Sequence, residues 1–236
     1  MAALLTSVID NSAKVAEYIY SCRQMGIQIL PPDINKSVGT FSVENGNIRF
    51  GLTAIKSVGR PVIQAIIEER NERGEFKHLK DFIERMGGRE VNKRTIENFI
   101  KAGVFDSLGG TRKQFMMIYI QIMDQVNQER KYSMTGQMSL FDLVDDEQKK
   151  EFEIPLPKVG EYEKENKLAF EKEVLGVYLT GHPLEDYEEK WKKSISRTTL
   201  DFQIDDETGR SRVRDGAKEI VGGMITNKTI KYTKTN

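Results

Sequence analysis

Residues 51–70 restrict the possible folds of this chain more than any other segment, because they predict two short helices joined by a tight turn. The apolar side of the first helix is formed by Leu52 and Ile55. The second helix carries apolar residues at helical spacing, at Val62, Ile63, Ile66 and Ile67. The turn is Ser57-Val58-Gly59, where Gly59 can adopt the positive φ that such turns often need. Pro61 suits the first turn of the second helix, where a missing N–H is no loss.

Cations flank this turn, with Lys56 before it and Arg60 after it. The start of a helix offers free backbone N–H groups, so cations beside it favour the binding of a phosphate. The predicted phosphate-binding residues are therefore Lys56, Ser57, Val58, Gly59 and Arg60. An ordinary helical hairpin explains the same stretch equally well.

A second unit of the same kind follows. Asn92 can cap a helix that ends at Gly103, and Thr111 can cap a longer helix beyond it. Its predicted contacts with DNA are Lys93, Arg94, Lys101 and Gly103, although a plain helix C-cap suits Gly103 as well. Two such units predict a tandem of helix–hairpin–helix motifs that grips phosphates on both strands of a duplex. Such contacts are independent of sequence and sensitive to salt.

Two helices and a β-hairpin precede these units in the prediction. Residues 2–9 form an apolar helical piece whose start has no visible capping signal, and Asn11 or Ser12 can cap the next helix. The turn dipeptide Asn45-Gly46 between alternating apolar residues indicates the β-hairpin.

The net charge of zero conceals a segregation of charge along the chain. Residues 49–113 carry 14 basic and 9 acidic side chains, whereas residues 142–173 carry 6 basic and 11 acidic ones. The basic block coincides with the two hairpins and indicates an anionic partner. A single cysteine, Cys22, excludes an intramolecular disulfide and suggests a reducing, cytoplasmic setting. The sequence has no apolar run long enough to span a membrane.

A short apolar cluster stands inside the polar stretch over residues 131–160, which we expect to be a flexible linker. Its members are Gln137, Met138, Ser139, Leu140 and Phe141. This composition is typical of a short peptide that docks on a partner protein. The alternative is a loop that anchors in the core of the chain.

No catalytic constellation and no metal site are predicted. The acidic pairs Asp145-Asp146 and Asp205-Asp206 lie in polar stretches, whereas a two-metal site needs carboxylates on rigid elements. His182 stands alone and suits a structural hydrogen bond in a turn. Alternation between Glu219 and Lys231 predicts one strand, which cannot be stable without a partner. The fold class is therefore mainly α, with a small β-hairpin, a flexible linker and an incomplete C-terminal β segment.

Several segments together resemble one family, the DnaE type of bacterial DNA polymerase III alpha subunits. The segments lie at residues 1–35, 48–59 (IRFGLTAIKSVG), 91–109 (VNKRTIENFIKAGVFDSLG), 136–141 (GQMSLF) and 173–187 (EVLGVYLTGHPLEDY). In order along the chain they form a highly specific combination, although each hairpin alone is a weak signal.

The resemblance implies the parts of the chain. Residues 1–50 would be the end of the fingers domain, 51–130 the tandem helix–hairpin–helix domain, 131–160 a linker, 161–217 a helical connector and 218–236 the truncated first strand of an OB domain. Residues 137–141 would dock on the β sliding clamp. Double-stranded DNA, the clamp and other replisome subunits would be the partners. The catalytic palm, where the parent polymerase is expected to use Mg²⁺, would lie outside this segment.

Two other functions fit parts of the sequence. A DNA-repair accessory protein could combine a helix–hairpin–helix module with a clamp-binding peptide. A purely structural helical scaffold could bury the apolar pentapeptide in its core. The first would need a finished C-terminal domain, and the cut-off appearance of both ends disfavours it.

Overall fold

A computed structural model describes residues 1–88, 91–134, 154–204, 209–225 and 228–230. The peptide at 137–141 and both acidic pairs, at 145–146 and 205–206, lie outside these residues. The chain divides into two units, Met1–Gly181 and His182–Asn236. As the sequence predicts, the described residues are mainly helical with a small sheet.

The first unit opens with helices α1 (Ala2–Ser7) and α2 (Ser12–Gln24). The side chain of Asn11 caps α2 by accepting from the amide of Lys14, which confirms the predicted cap. Val15, Ile19 and Cys22 form the buried face of α2.

A three-stranded sheet follows, built from β1 (Ile29–Leu30), β2 (Ser42–Glu44) and β3 (Asn47–Arg49) in the order β1-β3-β2. The predicted hairpin is the antiparallel pair β2–β3, in which Val43 lies opposite Ile48. Asn45 and Gly46 both have positive φ, as a two-residue turn of this type requires. Strand β1 adds to β3 in parallel.

The helices of the two hairpins come next. A 3₁₀ turn (Leu52–Ala54) precedes α3 (Arg60–Arg73), and α4 (Leu79–Met86) leads to α5 (Lys93–Ala102) and α6 (Arg112–Met134). The first predicted helix of the first hairpin is thus only one 3₁₀ turn. Among the described residues, the next helix of this unit is α7 (Lys164–Leu175).

An aromatic cluster forms the centre of the core between these helices. Phe82 meets Phe76 and Phe105 edge to face, with ring centroids 5.1 and 5.0 Å apart. Phe99 lies against both Phe82 and Phe105. All four rings are buried, so α4, α5 and the turn after α5 pack as one layer.

The second unit contains α8 (Glu188–Ser194) and two 3₁₀ turns (Glu185–Tyr187 and Thr199–Phe202). His182 accepts a hydrogen bond from the amide of Leu184, which confirms its predicted structural role in a turn. The strand predicted between Glu219 and Lys231 does not form in the described residues 219–225 and 228–230. Ile220 instead forms hydrogen bonds with Ser196. Ser196 does not belong to a strand, so these bonds do not build a sheet.

Candidate nucleic-acid interface

The turn of the first hairpin carries five of the predicted DNA-binding residues in one exposed stretch. Lys56, Ser57, Gly59 and Arg60 are exposed and Val58 is half-buried. The positive φ, however, belongs to Ser57 at 62°, whereas Gly59 is extended at −72°. The assignment of the left-handed residue to Gly59 is therefore wrong. Gly59 is the N-cap of α3, a position that takes extended backbone.

Three hydrogen bonds fix this turn to the rest of the unit, and all three involve Lys56. Its carbonyl accepts from the side-chain amide of Asn98 on α5 at 2.9 Å. Its amide donates to the carbonyl of Val174 at 2.9 Å, and its ammonium donates to the carbonyl of Glu173 at 3.0 Å. Lys56 therefore caps the C-terminus of α7 as well as flanking the turn.

The start of α3 remains open. Its N-cap is Gly59, which offers no side chain, and Pro61 has no N–H. In the described part of the chain, no acceptor bonds to the amides of Arg60 and Val62. The side chain of Arg60 is 71% exposed and pairs with Asp10, which is 80% exposed, at 3.2 Å. Two unbonded amides and an exposed cation thus lie at this end of the helix.

The start of α6, in the second hairpin, is closed by contrast. Thr111 and Gln114 form a capping box, in which each amide donates to the other side chain, at 2.9 and 3.2 Å. The amides of Arg112 and Lys113 both donate to the carboxylate of Glu161 at 3.2 Å. All four first amides of α6 are therefore satisfied within the chain.

Glu161 remains a charged carboxylate in this position. Burial alone would raise the pKa of Glu161, but three backbone N–H bonds, from Tyr162, Arg112 and Lys113, outweigh it and hold the pKa below its usual range. Lys167 adds a weak ion pair at 3.8 Å.

Gly103 does cap α5, with a φ of 79° in the left-handed region. It is buried, and its amide donates to the carbonyl of Ile100. A side chain at this position would meet the guanidinium of Arg112 at 2.1 Å. The structure therefore gives Gly103 the helix-capping role, and its amide is unavailable to a phosphate.

Lys101 also forms ion pairs within the chain. Its ammonium binds Glu97 at 2.9 Å and Glu173 at 2.8 Å, and its side chain is only 15% exposed. Burial would lower the pKa of Lys101, but these two carboxylates raise it. Lys101 therefore holds α5 to α7.

The remaining cations of the second hairpin are exposed. Lys93 lies 3.5 Å from Asp124, with both side chains more than half exposed. Arg94 is exposed and precedes Asn98 by four residues on α5, so both share one helix face. The contact between Asn98 and Lys56 therefore brings Arg94 to the side of α5 that faces the first turn.

Sequence reasoning missed Asn98, Glu161 and Glu173. Each acts through a partner at least 42 residues away along the chain, and no local pattern distinguishes it from an ordinary surface residue.

No metal centre is evident in the part of the chain described here, where no group of three or more His, Cys, Asp or Glu side chains could hold an ion. Likewise, none of the helices described above is long and apolar enough to cross a membrane.

The paired hairpins place the chain in the helix–hairpin–helix class, and a family model of the helix-hairpin-helix motif matches residues 26–115. The chain is 41% identical over 184 residues to DNA polymerase III subunit alpha of Mycobacterium leprae, which covers 78% of this chain and 16% of that relative. It is 36% identical to the subunit of the same name from Borreliella burgdorferi, over 100% of this chain and 20% of the relative. The protein of the same name from Deinococcus radiodurans is 35% identical, over 100% of this chain and 18% of the relative.

The resemblance to the bacterial DNA polymerase III alpha subunits is thereby confirmed, and the chain corresponds to a segment of that family. It spans no more than a fifth of the length of these relatives.

Proposed function

We propose that this chain is a segment of a replicative DNA polymerase that holds duplex DNA without reading its sequence. The observation that carries this proposal is the open start of α3, where the unbonded amides of Arg60 and Val62 lie near the cationic side chains of Lys56 and Arg60. A phosphate accepts hydrogen bonds from such amides and is attracted by the adjacent cations. Because a phosphate carries no sequence information, binding of this kind is nonspecific.

The three hydrogen bonds that involve Lys56 support this function, because they fix the conformation of the turn before DNA binds. A fixed turn does not lose conformational freedom when the phosphate binds. Arg94, on the face of α5 shared with Asn98, offers a second cation at this surface. We propose that Lys93 and Arg94 contact phosphates by charge alone.

The experiment is a titration of the 236-residue chain with a fluorescent duplex at several salt concentrations. We expect the affinity to fall steeply with salt and to be the same for duplexes of different sequence. Arg60→Gln should weaken binding and reduce the salt slope by about one. Arg73→Gln is the matched control, since Arg73 lies at the other end of α3, about 20 Å along the helix axis. A flat salt response, or equal losses in the two variants, would contradict the proposal.

We propose further that the peptide at 137–141 docks on the β sliding clamp. The support is its sequence, in which Leu140 and Phe141 can fill an apolar pocket, Met138 can cover the pocket edge and Gln137 can hydrogen-bond at its rim. Burial of three large side chains, at about 1.5–3 kcal/mol each, less the cost of ordering the peptide, suggests roughly micromolar affinity. Combined with duplex binding, a weak link of this strength becomes effectively intramolecular and remains exchangeable.

A pull-down with a bacterial sliding clamp tests this second part. Leu140→Ala together with Phe141→Ala should abolish clamp capture and leave duplex binding unchanged. Leu156→Ala, which removes a 41% exposed leucine nearby in the chain, serves as the control. Undiminished capture by the double variant would show that the peptide is not the docking element. Relatives that cover the whole chain favour a replicative polymerase over a repair accessory protein.

In the parent protein we propose that this segment acts as a tether and that other regions perform nucleotide transfer with Mg²⁺. The described residues offer no set of ligands for that ion. Other replisome subunits are further proposed partners, and the cytoplasm is the proposed location.

A further inference from the structure

We propose that Glu161 closes an anion-binding site at the start of α6, and that the second hairpin accepts a DNA phosphate only after the carboxylate of Glu161 withdraws. This inference rests on the proposed binding of duplex DNA. It assigns different states to the two hairpins, with the first open and the second occupied by the chain itself.

The start of α6 already holds an anion, the carboxylate of Glu161. The two carboxylate oxygens of Glu161 accept separately from the amides of Arg112 and Lys113, each at 3.2 Å. Two adjacent amides that hold two oxygens of one anion are the contacts a phosphate makes at a helix N-terminus. The carboxylate of Glu161 therefore stands where a backbone phosphate would stand.

Glu161 belongs to a separate stretch of chain, and its carboxylate can be displaced. Glu161 is 49 residues from Arg112 in sequence, and its side chain is 29% exposed. The rest of the stretch is anchored separately, by the bond from the side-chain amide of Gln114 to the carbonyl of Pro157 at 2.8 Å, by Tyr162 against Phe170 and by Ile154 against the core. The contact of Glu161 itself is partly solvated, so a competing anion of high local concentration can displace its carboxylate.

The helix start in the first hairpin differs from that in the second. The start of α3 carries Gly59 as its N-cap and has free amides at Arg60 and Val62. The start of α6 instead holds the carboxylate of Glu161 on its first two amides. This negative charge repels DNA, so the second hairpin contributes little to binding while Glu161 is in place.

Removal of the Glu161 charge tests the inference in the 236-residue chain. Glu161→Gln should let one more phosphate bind, so the slope of log affinity against log salt should steepen by about 0.9. Between 50 and 200 mM salt the variant should therefore lose about three-fold more affinity than the wild type. Glu163→Gln is the matched control, because Glu163 is exposed, two residues away and carries the same charge. Equal slopes for the two variants would overturn the inference.

A direct probe uses inorganic phosphate and the NMR signals of the Arg112 and Lys113 amides. Both signals should shift on titration of Glu161→Gln and stay in place for wild type and Glu163→Gln. No shift in Glu161→Gln would contradict the closed site. If Glu161→Gln does not fold, Glu161→Asp keeps the charge but shortens the reach, so its Arg112 and Lys113 amides should shift with phosphate where those of the wild type do not. No shift in Glu161→Asp would again contradict the site.

The two proposals fail in distinguishable ways. If none of the proteins binds duplex DNA, the proposed function is wrong, and the phosphate titration alone decides the closed site. If the wild type binds duplex DNA and Glu161→Gln matches Glu163→Gln in both measurements, only the closed site is wrong.

Discussion

The side-chain amide of Asn98, buried on α5, donates a 2.9 Å hydrogen bond to the backbone carbonyl of Lys56 in the first hairpin turn. The second hairpin thus holds the first in position. Asn98 is only 8% exposed, so water does not readily replace its bond. The geometry of the proposed phosphate site therefore depends on a residue that does not belong to it.

Replacement of Asn98 should weaken both stability and duplex binding. Asn98→Ala leaves the carbonyl of Lys56 without its partner, which should lower the free energy of unfolding by about 1–3 kcal/mol. Hydrogen exchange should then speed up selectively at the amide of Lys56, which is bonded to the carbonyl of Val174, because the turn loses one of its three fastenings. Asn71→Ala, an exposed change on α3, should alter neither quantity. Unchanged exchange in Asn98→Ala would show that the bond does not hold the turn.

A buried ion pair between Arg112 and Glu171 supports the second hairpin. The two side chains are each 1% exposed and lie 3.4 Å apart. Glu171 also accepts from the amides of Leu179 and Thr180, and the pKa of Arg112 is raised by Asp106 and Glu171 against the effect of burial. The charge of Arg112 is therefore retained inside the core.

Loss of one partner from this pair should be costly. Glu171→Ala leaves the guanidinium of Arg112 buried with one partner fewer and frees two amides, so we expect a loss of about 3–5 kcal/mol in the free energy of unfolding. Glu17→Ala, which removes an exposed pair with Lys14, should cost less than about 1 kcal/mol. Urea denaturation measures both. Similar midpoints for the two variants would mean that the buried pair adds nothing specific.

Two glycines with nearly the same φ allow the cost of backbone strain to be measured apart from the cost of a steric clash. Gly103 and Gly109 have φ of 79° and 78°. An added Cβ meets Arg112 at 2.1 Å in the first case and nothing within 4 Å in the second. Gly109→Ala should therefore cost only the left-handed strain, roughly 1–2 kcal/mol. Gly103→Ala should cost about 1–3 kcal/mol more, because it displaces the buried guanidinium. Equal losses in thermal denaturation would contradict the close approach.

Local sequence signals predicted the local features of this fold. Asn92 and Thr111 cap their helices as expected, because a cap needs only a side chain and an amide three residues away. Ser57 was missed as the left-handed residue, since its φ follows from contacts of Lys56 with α5 and α7. The ion pair of Lys101 with Glu173 and the bonding of the first α6 amides to Glu161 depend on carboxylates 72 and 49 residues away. Pairings of that range are set by tertiary packing, which no short pattern encodes.

The β-hairpin carries a pH-sensitive contact that can be tested apart from the hairpins of the proposed DNA site. Arg49 donates to both oxygens of Glu44, at 2.7 and 2.8 Å, and to the carbonyl of Pro31 at 2.8 Å. The hydrogen bond from Arg49 lowers the pKa of Glu44 below its usual value. The contact therefore joins the end of β2 to β3 and to the residue after β1.

Acid should remove the contribution of this contact. A carboxylate whose pKa is lowered on folding stabilises fully above its unfolded pKa, near 4.3, and loses that effect as the pH falls through the folded pKa. The melting temperature of Glu44→Gln should thus lie below that of the wild type at pH 7, and the gap should narrow steadily below about pH 4. Arg49→Gln removes the partner, so in its background the same Glu44→Gln change should produce a smaller gap with little dependence on pH. A gap that stayed constant from pH 7 to pH 3 would show that the ion pair is not the source of the difference.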